Sequence, residues 1–223
     1  MNRIRAASFA RTFESESVDL ITRFTTNSTG ARAVIIDDTI RQLKAVGVWS
    51  KLDCFYMLAA EASDQALLNW KGTSYTLSTN GTITFTADRG YAGNGTTGYL
   101  NSGFNPTTAS SPNFVQLSCH LGCYARGTAA EEKVDIGNDQ NFINTRSATS
   151  FIRVRLMRAS TNGSTANTDG GGHYCASRNV STDFNHYRNG GNAQNVAAVA
   201  QAQTSFDMWI GGGNLAAPSY STR

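Results

Sequence analysis

The patterning of this chain changes at Lys71-Gly72, and that change limits the folds open to it. Before it, apolar residues recur at helical spacing. After it they alternate in short runs between turn residues. Val18, Ile21 and Phe24 set a helical period over residues 15–26, with Ser15 or Ser17 as its cap. Over residues 31–47, Val34, Ile36, Ile40, Leu43 and Val46 form a stripe, with Ala33 and Ile35 beside it. Gly47 follows as a stop, and Asp37 and Arg41 stand four apart, placed to pair. A second apolar helix is predicted from Trp49 to Leu58, and a short third one from near Ser63.

Beyond residue 71, Tyr75 and Leu77 alternate up to Asn80-Gly81, the strongest hairpin signal in the chain. Further strands are read around Ile83–Ala87, Tyr99–Leu100, Phe114–Cys123, Val134–Ile136, Phe142–Ile143, Phe151–Met157, Tyr174–Cys175, Phe184–Tyr187 and Phe206–Ile210. Residues 159–172 read as a loop, and Val196–Val199 is ambiguous. Roughly ten short strands with regular turn signals are the signature of a sandwich or barrel.

Charged residues make up 16% of the chain, against about 25% in ordinary globular proteins. Gly, Ser, Thr and Asn take their place, which suits strands and turns better than helices. The net charge of +3 is small and dispersed, so no nucleic-acid partner is expected. The nearest basic cluster is Arg153, Arg155 and Arg158, with Arg146 nearby. Arg153 and Arg155 share a strand face. That face reads as solvated or subunit-facing, with a polyanion site as the alternative. No apolar run is long enough for a membrane span, and none at the N-terminus fits a signal peptide.

Cys54, Cys119, Cys123 and Cys175 form no C-x-x-C pair, and the three histidines are scattered, so no metal site and no cofactor are expected. The cysteines read as small buried apolar side chains, with pairing outside the cell as the alternative. The chain is read as a non-enzyme without catalytic residues. Glu131 and Asp135 would share a face, but Lys133 between them spoils a raised-pKa acid. No nucleophile elbow accompanies His120, His173 or His186. For sugar binding, which needs aromatic platforms and planar polar groups, the candidates are Tyr174, Asn185, Tyr187, Arg188 and Trp209.

One stretch is distinctive. It contains Gly47, Trp49, Lys51–Asp53, Tyr56, Ala59, Ala60, Ala66, Leu67 and Asn69. Phe85–Tyr91, Gly93, Gly95, Tyr99, Leu100 and Gly103–Pro106 follow. This resembles a family of tailed-phage and prophage virion structural proteins, and Trp209–Gly211 with Ser219–Ser221 resembles that family's last-strand region. The resemblance implies an antiparallel jelly-roll β-sandwich, concanavalin A-like (laminin-G-like), with a helical N-terminal lead-in. The expected layout is an extended arm over 1–13, a helical lead-in over 14–70 packed on the sandwich, and the sandwich over 71–223. The resemblance further implies a virion location as a head-decoration, collar or spike subunit. It implies homo-oligomers, other virion proteins as partners, and contact with a host polysaccharide. A free carbohydrate-binding module is the alternative, and a glycan-degrading enzyme a more distant one. Phe9 and Phe13 are the candidates for docking the arm to the particle. Relatives continue past the Ser219–Arg223 region into a further strand and helix, so either the sequence is truncated or a neighbouring chain supplies the closing strand.

Overall fold

A computed structural model describes residues 11–158, 160, 162–215 and 217–222. The chain divides into two units, residues 1–51 and 52–223. The lead-in expected over residues 14–70 is thus cut at Lys51, and residues 52–70 belong with the strands.

In the first unit, α1 (Ser15–Thr22) and α2 (Gly30–Ala45) are followed by a 3-10 turn over Trp49–Lys51. α2 starts where the Thr29 hydroxyl accepts the Arg32 N–H at 3.3 Å. It ends in a Schellman arrangement: Gly47 takes φ +71, and the Val48 N–H donates to the Leu43 carbonyl at 2.9 Å. α1 stops four residues short of the predicted end and has no side-chain cap. Ser17 instead donates to the Asp37 carboxylate at 2.9 Å. The buried positions of α1 are Ser17 and Leu20, and Val18 is exposed. On α2 the buried stripe is Ile36, Asp37 and Ile40, while Val46 lies in solvent. A carboxylate in a buried stripe needs partners. Asp37 has four: Arg11, Arg41, Ser17 and the Glu14 N–H. The predicted Asp37–Arg41 pair forms, at 3.1 Å. Phe9 lies outside the described residues. Phe13 is half-buried beneath the Arg11 guanidinium, and Arg41 reaches the Thr12 carbonyl, so residues 11–13 are tied down by side chains of α2.

The second unit is mostly β, in antiparallel sheets. After the short α3 (Ser63–Ala66) come β1 (Ser78–Asn80), β2 (Ile83–Thr86), β3 (Gly90–Gly93), β4 (Tyr99–Asn101) and β5 (Cys119–Ala125). Then follow β6 (Ile136–Asn138), β7 (Asn141–Asn144), β8 (Phe151–Arg155), β9 (Gly163–Ala166) and β10 (Gly172–Arg178). The last are β11 (Asp183–Arg188), β12 (Gly191–Ala197), β13 (Trp209–Ile210), β14 (Gly212–Gly213) and β15 (Ser219–Tyr220). One sheet has the order β1-β4-β13-β6-β7-β8-β9 and the other β12-β11-β10-β5. Their inner faces share one core, with Ile143, Ile152 and Val154 from the first and Leu121, Tyr174, Ala176, Phe184 and Val196 from the second.

Three local expectations fail for identifiable reasons, and one ambiguity resolves. Trp49–Leu58 is not a helix beyond its first turn. Asp53 accepts the backbone N–H groups of Asn113 and Phe114, at 2.7 and 2.9 Å. The Phe55 backbone pairs with Trp70 and with the Asn69 side chain. These long-range bonds hold the segment extended. Asn80-Gly81 turns the chain without making a hairpin, because the partner of β1 is β4 while β2 pairs with β3 around Asp88-Arg89. The predicted loop over 159–172 contains β9, an edge strand beside β8. The ambiguous stretch at Val196 is the end of β12.

Gly137 sits in β6 at φ +142, where an added Cβ would lie 2.1 Å from the Asn141 carbonyl oxygen. Gly137→Ala must therefore push β6 from β7 and is expected to cost roughly 1–3 kcal/mol. A fall in the thermal midpoint by calorimetry checks this, and an unchanged midpoint would show that the strands yield freely.

Candidate functional site

The five predicted sugar-contacting residues do not converge. Trp209 is on the seven-stranded sheet and the other four are on the four-stranded sheet, so they divide between the two sheets. Tyr174 is 1% exposed and points into the core. Its hydroxyl accepts from Asn167 at 2.8 Å and donates to the Gly171 carbonyl at 3.2 Å. Burial raises its pKa, and it presents no face to a ligand. Asn185 and Tyr187 are half-buried on the outer side of the four-stranded sheet, where Asn195 already donates to Asn185. Arg188 is drawn to Asp169 and lies over the Tyr174 ring. Trp209 stacks on Tyr99 with ring centres 3.7 Å apart, and Tyr220 of the β14–β15 ribbon lies close by. The Trp209 ring is only 9% exposed, and its indole N–H has no partner.

The cysteines are free thiols. Burial pushes Cys54 and Cys175 up to about 11 and Cys119 up to about 12. Cys175 lies 3.4 Å from Nδ1 of His120, whose own pKa burial lowers. The two shifts keep both groups neutral near pH 7, which is the opposite of an activated thiolate–imidazolium pair. Glu131 and Asp135 converge, but on Ser221: its hydroxyl lies 2.9 Å from Glu131 and 3.1 Å from Asp135. Thr222 also donates to Glu131, and the Thr145 N–H donates to Asp135. These carboxylates tie the chain's last strand region to the sheet. Among the described residues, no group of three or more His, Cys, Asp or Glu side chains is placed to hold a metal ion.

The structure instead brings together an open cleft of about 380 Å³ on the outer face of the seven-stranded sheet. Strand alternation builds its floor. Ile143, Ile152 and Val154 face the core, so Phe142, Asn144, Arg153 and Arg155 face outward. Residues 132–134 wall one side, and Leu215, Ala217, Pro218 and Ser219 the other. The Ser219 hydroxyl accepts the Val134 N–H at 3.0 Å and joins the two walls. Arg153 pairs with Glu132 at 2.5 Å. Arg155 donates to Asn162 at 2.5 Å and to the Asp139 carbonyl at 3.4 Å, with its guanidinium 5.0 Å from the centre of the Phe142 ring. Asn144 donates to the Glu131 carbonyl at 3.0 Å, which fixes its amide orientation and leaves Oδ1 buried without a partner. The cleft therefore has a planar-polar floor and an apolar wall. Sequence reasoning found the shared face of Arg153 and Arg155. It missed the cleft, because Leu215, Ala217, Pro218 and Ser219 come from far along the chain. No family model, curated protein or solved structure matches the chain.

Proposed function

We propose that this chain is a bacteriophage virion structural protein, a head-decoration, collar or spike subunit, built on a concanavalin A-like jelly roll. In this reading it contacts host-surface glycan through the cleft on the seven-stranded sheet. The virion assignment is supported by the resemblance over residues 46–106. Glycan contact is carried by the cleft itself. A pyranose has C–H faces and rim hydroxyls, and the cleft offers Pro218, Leu215 and Val134 for the former and Asn144, Asn162 and the arginines for the latter. The volume suits a terminal unit or a short stretch of chain. The protein is read as a binder that leaves glycan uncleaved, since Glu131 and Asp135 are engaged with Ser221 and Thr222.

Cryo-electron microscopy of purified particles is expected to show ordered copies of this chain on the head, collar or tail. A glycan array is expected to give hits that are retained without hydrolysis products. Ordered absence from particles together with array binding would favour the second reading, a free carbohydrate-binding module using the same cleft. Loss of sugar units from the array would overturn the binder reading.

A further inference from the structure

We infer that the ligand of this cleft is an anionic saccharide, a sugar chain bearing carboxylate or phosphate groups, held by Arg155 and Lys133. This deepens the glycan reading above and rests on it. Three cationic side chains and one carboxylate line the cleft, Lys133, Arg153 and Arg155 against Glu132, leaving a surplus of two positive charges. Arg153 is matched by Glu132. Neither of the other two forms an ion pair. Arg155 is half-buried, and its direct partners are an amide oxygen, a backbone carbonyl and an aromatic ring; the Asp139 carboxylate is near enough to favour its charge but does not pair with it. Lys133 has no hydrogen-bond or ion-pair partner among the described residues.

A guanidinium sunk into a surface with no carboxylate in contact has given up hydration for weaker contacts. An incoming anion restores what is missing. The Arg155 fork suits a carboxylate or phosphate, and Lys133 adds a mobile point charge at the rim. Asn144 supplies the complementary element, an unpartnered acceptor on the cleft floor that a sugar hydroxyl can satisfy with a small side-chain adjustment. A neutral glycan would use the acceptor and the apolar wall and leave both cations unmatched. A polyanion without hydroxyls would use the cations and leave the acceptor unused.

The test is an array of bacterial surface polysaccharides, probed with the full chain. It includes uronate-bearing polymers before and after reduction of their carboxyls to alcohols, teichoic acids, and neutral glucans. Hits on anionic polymers are expected. Uronate hits should weaken at least tenfold on carboxyl reduction, and all hits should weaken with rising salt. Arg155→Gln and Lys133→Gln should each lower affinity at least several-fold. Lys133 is half-buried but makes no hydrogen bond or ion pair that its variant would break, so Lys133→Gln leaves the fold intact even where Arg155→Gln loosens the Phe142 contact. Hits confined to teichoic acids would support the proposal with phosphate as the anion. Equal binding to reduced and unreduced polymers would overturn the anionic assignment while leaving glycan binding in place. Carboxyl-dependent binding unchanged in both variants would place the anion elsewhere and also overturn it. No binding to any glycan would overturn the glycan reading itself.

Discussion

Arg178→Met is expected to destabilise the second unit by roughly 3–5 kcal/mol, the largest single-residue effect anticipated here. Arg178 is 1% exposed. All five of its N–H donors are used, and every acceptor is a backbone carbonyl. Nε and Nη2 reach Leu156 at 3.3 and 3.0 Å, and Nη2 also reaches Ala198 at 2.9 Å. Nη1 reaches Val180 at 3.2 Å and Ser181 at 3.3 Å. The guanidinium stands over Phe184, 5.4 Å from its ring centre, and burial lowers its pKa.

Buried ion pairs can often be replaced by apolar residues at no cost, because both charged partners leave together. That escape is closed here, since the acceptors belong to the main chain and stay behind. Ser181 keeps a second donor in the Ala200 N–H, at 2.7 Å, and exposed Val180 can turn to water. The Leu156 and Ala198 carbonyls, in residues nearly or wholly buried, would be orphaned. Arg178→Lys should also lose most of the stability, because three donors on a single nitrogen cannot span four carbonyls. Urea unfolding followed by far-ultraviolet dichroism measures the effect. Arg126→Met, at an exposed side chain with one backbone bond, is the control and should shift stability by less than about 0.5 kcal/mol. A near-native midpoint for Arg178→Met would show that the buried guanidinium contributes no net stability.

Arg178 also shows where reading the sequence stops. Local rules located what local physics decides. Gly47 ends α2 because a left-handed stop needs no Cβ, Asp37 and Arg41 pair because helix geometry brings them together, and most strands lie where residues alternate. The same rules failed where a distant partner intervened. Asp53 looked like a helix residue until Asn113 and Phe114 claimed its oxygens. Tyr174 looked like a surface aromatic in a polar stretch, but its register opposite Cys123 turns it into the core. β13 lies between β4 and β6, so Trp209 faces Asn101 on one side and Gly137 on the other. No local pattern records such insertions. The cleft is the extreme case. The alternation that turns Arg153 and Arg155 outward is legible, but the wall of Leu215, Ala217, Pro218 and Ser219 that makes a cleft of their face is set by sheet order alone.

Asp37→Ala is expected to unfold the first unit selectively, with a cost of roughly 2–4 kcal/mol. The carboxylate is fully buried, and one oxygen, Oδ2, takes Arg11 at 2.6 Å and Arg41 at 3.1 Å. The other accepts from the Glu14 N–H at 2.7 Å and Ser17 at 2.9 Å. Removing it leaves the Ser17 hydroxyl buried and two guanidinium groups facing each other. The arginines can swing to water, which keeps the cost below that of Arg178. Even so, a unit of this size has little stability to lose.

Burial alone would raise the pKa of Asp37, but the donors from Arg11, Glu14, Ser17 and Arg41 outweigh it and hold the carboxyl well below the usual carboxylate range. The folded pKa is therefore depressed relative to the unfolded one. Its contribution is present in full above about pH 5 and is lost as pH falls through about 4 and below. Limited proteolysis of the full chain, with cleavage mapped on each side of Lys51, separates the units. At pH 7, Asp37→Ala should expose sites within residues 11–51 while those within the sheets stay protected. The native chain should show the same selective exposure only on acidification, and Asp37→Asn should lose that acid dependence. Equal protection of residues 11–51 in variant and native chain at pH 7 would mean that the apolar contacts of Leu20, Ile36 and Ile40 suffice without the carboxylate.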